Sequence, residues 1–81
     1  MVVNRDQAIA QEQRISNAAT LGCILRDRRK KLGYTQEDLP DMLDFSPRLI
    51  GEMERGRGTV GIDKVFLYAT TLGIDIVAFE R

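Results

Sequence analysis

The sequence predicts a small all-α domain of four to five short helices that ends in a single β-strand. Three observations carry this reading. Apolar residues recur at helical spacing in separate stripes between Ala18 and Leu72. Helix-stop and helix-start signals punctuate those stripes at Gly33, at Asp44-Phe45-Ser46, at Gly56 and at Gly73. Beyond Gly73 the period changes: Ile74, Ile76 and Ala78 alternate with Asp75, Val77 and Phe79, the pattern of a strand.

Eighty-one residues, 43% hydrophobic and 30% charged, make one domain with room for one small core. A domain of this size is expected to need a staple or a partner subunit. Cys23 is the only cysteine, so no internal disulfide can form, which fits a reducing cytosol. At its place in a helical pattern it reads as a small helix residue rather than a reactive thiol. No apolar run approaches the roughly 18 residues of a membrane span. Histidine is absent, which removes Ser-His and Cys-His nucleophile pairs and leaves no plausible zinc site. No metal, cofactor or catalytic role is expected, and the chain does not read as an enzyme. Twelve basic and twelve acidic residues cancel, so distribution matters more than the sum. Positive charge gathers in Arg26-Asp27-Arg28-Arg29-Lys30-Lys31 and returns at Arg55 and Arg57. A solvated helix face would account for the first run by itself.

The elements follow in order. In residues 1–16, Asn4 with Gln7 makes a capping box that would start a short helix toward Arg14. A frayed arm fits the thin stripe of Ala8, Ile9 and Ile15 equally well. The first clear helix runs from Ala18 to Leu32, with Leu21, Ile24, Leu25 and Leu32 on one face, Ser16 or Asn17 as cap and Gly33 as stop. Thr35 is expected to cap the second helix, with Glu37 and Asp38 in its first turn and Leu39, Met42 and Leu43 facing inward. Pro40 lacks an N–H and crowds the preceding turn, so that helix should be short or kinked. Asp44-Phe45 is the turn, and Ser46 caps a third helix that opens on Pro47, the favoured first position for proline. Ile50 and Met53 face inward along it to about Arg55. A fourth helix spans about Ile62 to Leu72, with Ile62, Val65, Tyr68, Ala69 and Leu72 on one face. The closing strand has no second strand in the chain to pair with.

Two short helices whose start signals lie eleven residues apart, the second capped by Ser-Pro, form a helix-turn-helix. In that unit the first helix crosses the DNA backbone and the second enters the major groove. The run Leu32-Gly33-Tyr34-Thr35-Gln36-Glu37-Asp38-Leu39, then Phe45-Ser46, then Ile50, Glu54 and Gly56, resembles the helix-turn-helix of the lambdoid repressor and Cro (Xre) superfamily. With Leu72-Gly73-Ile74 the resemblance covers about Ala18 to Gly73. The sequence departs from the superfamily at Pro40, where a small residue usually packs, at Asp44, the usual turn glycine, and at Gly51 inside the third helix. A strand where many members have a fifth helix, together with the stretch Phe45 to Gly61, resembles HipB-type antitoxins, the DNA-binding partners of HipA-type kinase toxins.

The resemblance implies a lambda-repressor-like bundle whose C-terminal strand pairs across a homodimer. It implies an arm at 1–16, a DNA-binding domain at 17–73 and a dimerisation strand at 74–81, with Ile74, Ile76, Val77, Ala78 and Phe79 in the pairing. It assigns base reading to Pro47, Arg48, Leu49 and Glu52. Arg48 would donate twice to guanine, Leu49 would cover a thymine methyl and Glu52 would accept from cytosine. Ordinary packing and solvation account for Leu49 and Glu52 equally. Gln36, with Thr35 and Ser46 at the helix starts, resembles the family's phosphate anchors. Arg55, Arg57 and Thr59 would meet phosphate as well. Arg29 and Glu54 resemble the family's structural ion pair. The function implied is a cytoplasmic, nucleoid-associated bacterial repressor that binds operator DNA and autoregulates a kinase toxin-antitoxin operon. A phage-type or restriction-modification control regulator without a toxin is the alternative within the class. A helical adaptor that has lost DNA binding is the alternative outside it, and the neutral net charge favours that last reading.

Overall fold

The computed structural model describes residues 13–81. Four helices are present among them: α1 at Ala18–Lys31, α2 at Asp38–Leu43, α3 at Pro47–Glu54 and α4 at Ile62–Thr71. The capping box expected at Asn4 and Gln7 lies outside the described residues. Ile15, the last member of that thin stripe, is exposed.

Asn17 caps α1 through its side-chain oxygen, which accepts from the backbone N–H of Thr20 at 2.8 Å and from the Thr20 hydroxyl at 3.0 Å. Four cationic residues fill the last turn, where the helix dipole favours them. α2 starts later than expected. Glu37, not Thr35, stands at its cap position, and the Thr35 backbone N–H instead donates to the Asp38 carboxylate at 2.8 Å. This late start explains how Pro40 is tolerated. Pro40 is the third residue of a six-residue helix, where a backbone N–H has no partner inside the helix to lose. The helix is short rather than kinked, and the Pro40 carbonyl accepts from the N–H groups of both Asp44 and Phe45 at its far end. Asp44 holds the left-handed turn at φ 57°, and Ser46 then caps α3 by accepting from Leu49 N–H at 3.1 Å.

The core is one cluster: Leu25 from α1, Leu39 from α2, Ile50 and Met53 from α3, Tyr68 and Ala69 from α4, and Leu72 just after it. α3 lies at the centre of the packing, against both α1 and α2. Three residues assigned to apolar faces are in fact exposed: Leu32, Met42 and Ile62. Leu32 lies beyond the end of α1 and Ile62 is the first residue of α4, while Met42 lies on the outer side of the short α2, whose Leu39 and Leu43 face the core.

The tail differs from its expected form. Residues 74–81 take no regular secondary structure, because a strand is defined by a neighbour's ladder and none lies beside it among the described residues. Its first residue is anchored: Ile74 packs on the core, and its N–H donates to the Ala69 carbonyl at 2.8 Å.

Two glycines set how closely α1 approaches the end of α3. Gly22 is buried, and a Cβ there would stand 2.6 Å from the carbonyl oxygens of both Met53 and Glu54. Gly56, at φ +77°, turns the chain so near α1 that its Cβ would lie 2.5 Å from the Ala19 Cα. Backbone meets backbone at this crossing, and nothing flexible can yield. Gly22→Ala is therefore expected to destabilise the fold by about 1–3 kcal/mol, the usual size of an overpacking penalty. Gly58→Ala, with no atom within 4 Å of its added Cβ, should be neutral or slightly stabilising. Urea denaturation of the two variants beside wild type checks the contrast.

Candidate nucleic-acid interface

A polar cluster inside the fold holds the helix on which the candidate site residues lie. Glu54, the last residue of α3, is buried, and its carboxylate accepts four hydrogen bonds. Arg29 of α1 supplies two in fork geometry, Nε to Oε2 at 2.7 Å and Nη2 to Oε1 at 2.9 Å. The Tyr68 hydroxyl of α4 donates to Oε2 at 2.6 Å, and Gln36 Nε2 donates to Oε1 at 3.2 Å. Arg29 Nη1 also reaches the Tyr34 carbonyl at 2.8 Å. No buried side-chain polar atom among the described residues lacks a partner.

The electrostatics follow from that geometry. Burial by itself would raise the Glu54 carboxyl, but hydrogen bonds from Arg29, Tyr68 and Gln36 outweigh it and hold the group below the ordinary carboxylate range. The hydrogen bond to Glu54 pushes Arg29 up, and burial pushes the Tyr68 phenol well up. All three groups stay in the protonation states that bind one another best.

Outside this cluster, α3 presents its first turn to solvent. Pro47 and Arg48 are exposed there, and the Arg48 side chain retains 86% of its accessible surface. Leu49 is half-buried and packs against the core, so only part of it is open to a base. Glu52 is half-buried, one turn behind Arg48, and its Oε1 accepts from Arg48 Nε at 3.2 Å. Arg55, Arg57 and Thr59 are exposed just beyond the end of α3, and the Arg57 N–H donates to the Glu52 carbonyl at 3.0 Å. The structure thus gathers Pro47, Arg48, Glu52, Arg55 and Arg57 along or just beyond α3.

The residues assigned to phosphate near α2 are partly engaged. Thr35 is exposed, with its backbone N–H held by Asp38, and one N–H of the Gln36 amide donates to Glu54 while the second can still donate. Ser46 Oγ accepts from Leu49 N–H in capping α3, and its own O–H can still donate. Glu37, Asp38, Asp41 and Asp44 are all exposed in and around α2, so that helix offers negative charge to any backbone it crosses. The favourable charge for phosphate lies after α3, at Arg55 and Arg57.

Three structural residues escaped the sequence reading. Tyr68 was placed on an apolar face, yet a buried phenol needs a polar partner, which was the available signal. Gly22 inside a helical stripe is a sign of close packing. Arg28 donates from Nε to the Leu72 carbonyl at 2.9 Å, tying α1 to the end of α4, and only the fold brings those residues together. In the tail, Val77 and Phe79 are 63% and 71% exposed. Ile76 lines a shallow groove with Phe66, Ala69 and Ile74, which joins the tail to the outer face of α4.

Residues 25–79 match the helix-turn-helix family HTH_3, more than half of the chain. The chain is 35% identical over 68 residues to y4mF, an uncharacterized HTH-type transcriptional regulator of Sinorhizobium fredii, covering 82% of this chain and 90% of that protein. Solved structures share the fold at 17% identity. A chain of a HipB–O1–O2 complex superposes with a TM-score of 0.77, over 85% of this chain and all of that one (100%). A chain of a HipA–HipB–O2–O3 complex gives 0.78, over 85% and 97%, and a structure described as MDT protein gives the same values.

Glu54 also sets a pH dependence. Its folded-state carboxyl lies below its unfolded value, so the stability it contributes is fully present above the unfolded carboxylate value. That stability is lost as pH falls through the folded value. Arg29→Met leaves a buried carboxylate short of its charge partner and is expected to cost about 3–5 kcal/mol at neutral pH. The acid-driven loss should be shallower in the variant than in wild type. Chemical denaturation of both at pH 7 and at stepwise lower pH checks the size and the slope.

Proposed function

The chain belongs to the HTH_3 helix-turn-helix family and is a DNA-binding regulator rather than an enzyme, and on that premise we propose a homodimeric repressor that is the antitoxin of a HipA-type kinase. The observation that carries the DNA reading is the exposed guanidinium of Arg48 on the first turn of a Ser46-capped helix. With Nε held by Glu52, Nη1 and Nη2 remain to donate to O6 and N7 of a guanine. Pro47 meets the groove floor beside it, and Leu49 offers its open edge to a thymine methyl. Arg55, Arg57 and Thr59 take phosphate and fix register without reading sequence. Gln36 keeps a second amide N–H, and Thr35 its hydroxyl, to offer the DNA backbone, while the first Gln36 N–H and the Thr35 backbone N–H are engaged inside the protein.

Fold likeness to chains of the HipB–O1–O2 and HipA–HipB–O2–O3 complexes supports the toxin pairing. The tail supports the dimer: Ile76, Val77 and Phe79 form an exposed apolar segment with unpaired backbone, the kind of edge that a second copy covers. Antiparallel pairing of two tails, Ile74 to Phe79, would set the recognition helices about one DNA turn apart, roughly 34 Å, and so select a palindromic operator. The 35% identity to a protein described only as a transcriptional regulator favours a second reading, a control regulator with no toxin. The adjacent reading frame separates the two. A HipA-like product that the tagged chain captures, and whose growth arrest it relieves, supports the first; a neighbour of any other kind supports the second.

Arg48→Ala is expected to weaken operator binding by about 1–3 kcal/mol and to relax preference at one base pair. Arg57→Ala should weaken binding to all sequences alike and reduce the slope of log affinity against log salt by about 1. Gel-shift titrations on operator variants over a salt series measure both. Deleting residues 74–81 should give a monomer, or an unfolded chain, with most operator affinity gone. Sedimentation that still finds a dimer would place the contact elsewhere.

A further inference from the structure

Glu52 carries an acceptor on the same helix face as Arg48, and the structure shows what that acceptor holds. Its Oε1 lies 3.2 Å from Arg48 Nε, one helical turn away, while the Arg48 side chain is 86% exposed and Glu52 only 29%. The Glu52 main chain is tied down: its backbone carbonyl accepts the Arg57 N–H at 3.0 Å, which clamps the end of α3 to the following loop. The half-buried Glu52 side chain is therefore the more confined partner here, and the long exposed arginine side chain is the more mobile one.

Resting on the DNA reading above, we infer that Glu52 is a positioning residue for Arg48 rather than a reader of cytosine. An arginine side chain carries large rotamer entropy, and most of its exposed conformers do not point a planar fork at a base. Occupying Nε selects conformers in which Nη1 and Nη2 lead, the pair that matches the O6 and N7 of guanine. The carboxylate also offsets part of the Arg48 charge, so that Arg48 is less readily drawn to the nearest phosphate. Specificity at that base pair then belongs to two residues acting as one unit, and Glu52 acts on DNA only through Arg48.

The test is a double-mutant cycle read as base preference. Wild type, Glu52→Ala, Glu52→Gln, Arg48→Ala and Arg48→Ala/Glu52→Ala are titrated against the operator and all its single-base-pair variants, with circular dichroism confirming helix content. The expected result is that Glu52→Ala loses roughly 3- to 10-fold in discrimination at the base pair that Arg48→Ala affects, the lower range for residues sharing one hydrogen bond. Glu52→Gln, which keeps an acceptor for Nε, should retain most of the discrimination. The double variant should lose no more than Arg48→Ala alone. Loss of preference at a different base pair in Glu52→Ala, or additive losses in the double variant, would overturn the positioning role and restore Glu52 as a reader. A wild-type protein with no sequence preference would overturn the DNA reading as well, and the wild-type titration alone distinguishes that outcome.

Discussion

Four hydrogen bonds to one carboxylate hold this domain in register. Glu54 takes two from Arg29 of α1, one from Tyr68 of α4 and one from Gln36 of the turn that leads into α2, so its single side chain ties α1, α4 and that turn to the end of α3. A buried ion pair does not guarantee net stability, because desolvating both charges offsets much of their attraction. Its value here is directional. An apolar contact would tolerate sliding, whereas a forked guanidinium and a phenol converging on two oxygens admit one arrangement. The small apolar core then closes around that arrangement, with Tyr68 contributing its ring to the core and its hydroxyl to the cluster.

The same fact explains how the binding surface is divided. Gln36 and Thr35 stand where a helix start would meet phosphate, yet one N–H of the Gln36 amide and the Thr35 backbone N–H are used internally. Four acidic residues surround α2. The balance of charge at the surface therefore shifts to the far end of the motif, where Arg55 and Arg57 follow α3. A chain of zero net charge can still present a cationic edge, provided its anions are gathered on another element.

Much of this was legible in the sequence, because local chemistry dictated it. Asn17 and Ser46 cap their helices through hydrogen bonds spanning three residues, and Asp44 occupies the left-handed turn that the spacing required. Core positions such as Leu25, Leu39, Ile50 and Tyr68 followed from helical period. The start of α2 did not, because Thr35 is a competent cap by type, yet the helix begins at Asp38 after Glu37, and only that late start leaves Pro40 where its missing N–H costs no bond. The exposure of Met42 is not encoded in the pattern, since a six-residue helix has too few turns for a stripe to define its face. The contact of Arg28 with Leu72 joins residues 44 apart, and no local pattern encodes it. The tail was read from alternation, which specifies side-chain faces but supplies no hydrogen-bonding neighbour.

The crossing at Gly22 and Gly56 separates two kinds of change that this protein can accumulate over generations. Where helices meet through side chains, each change in core volume tilts one axis against the other, and a binding surface drifts along with it. Here α1 rests on the backbone of α3, carbonyl oxygens against a glycine, so the seat of α3 is set by main-chain geometry. Substitutions at Leu25 or Met53 are then expected to change how firmly the domain is folded more than where α3 is seated, because main-chain atoms carry the crossing itself.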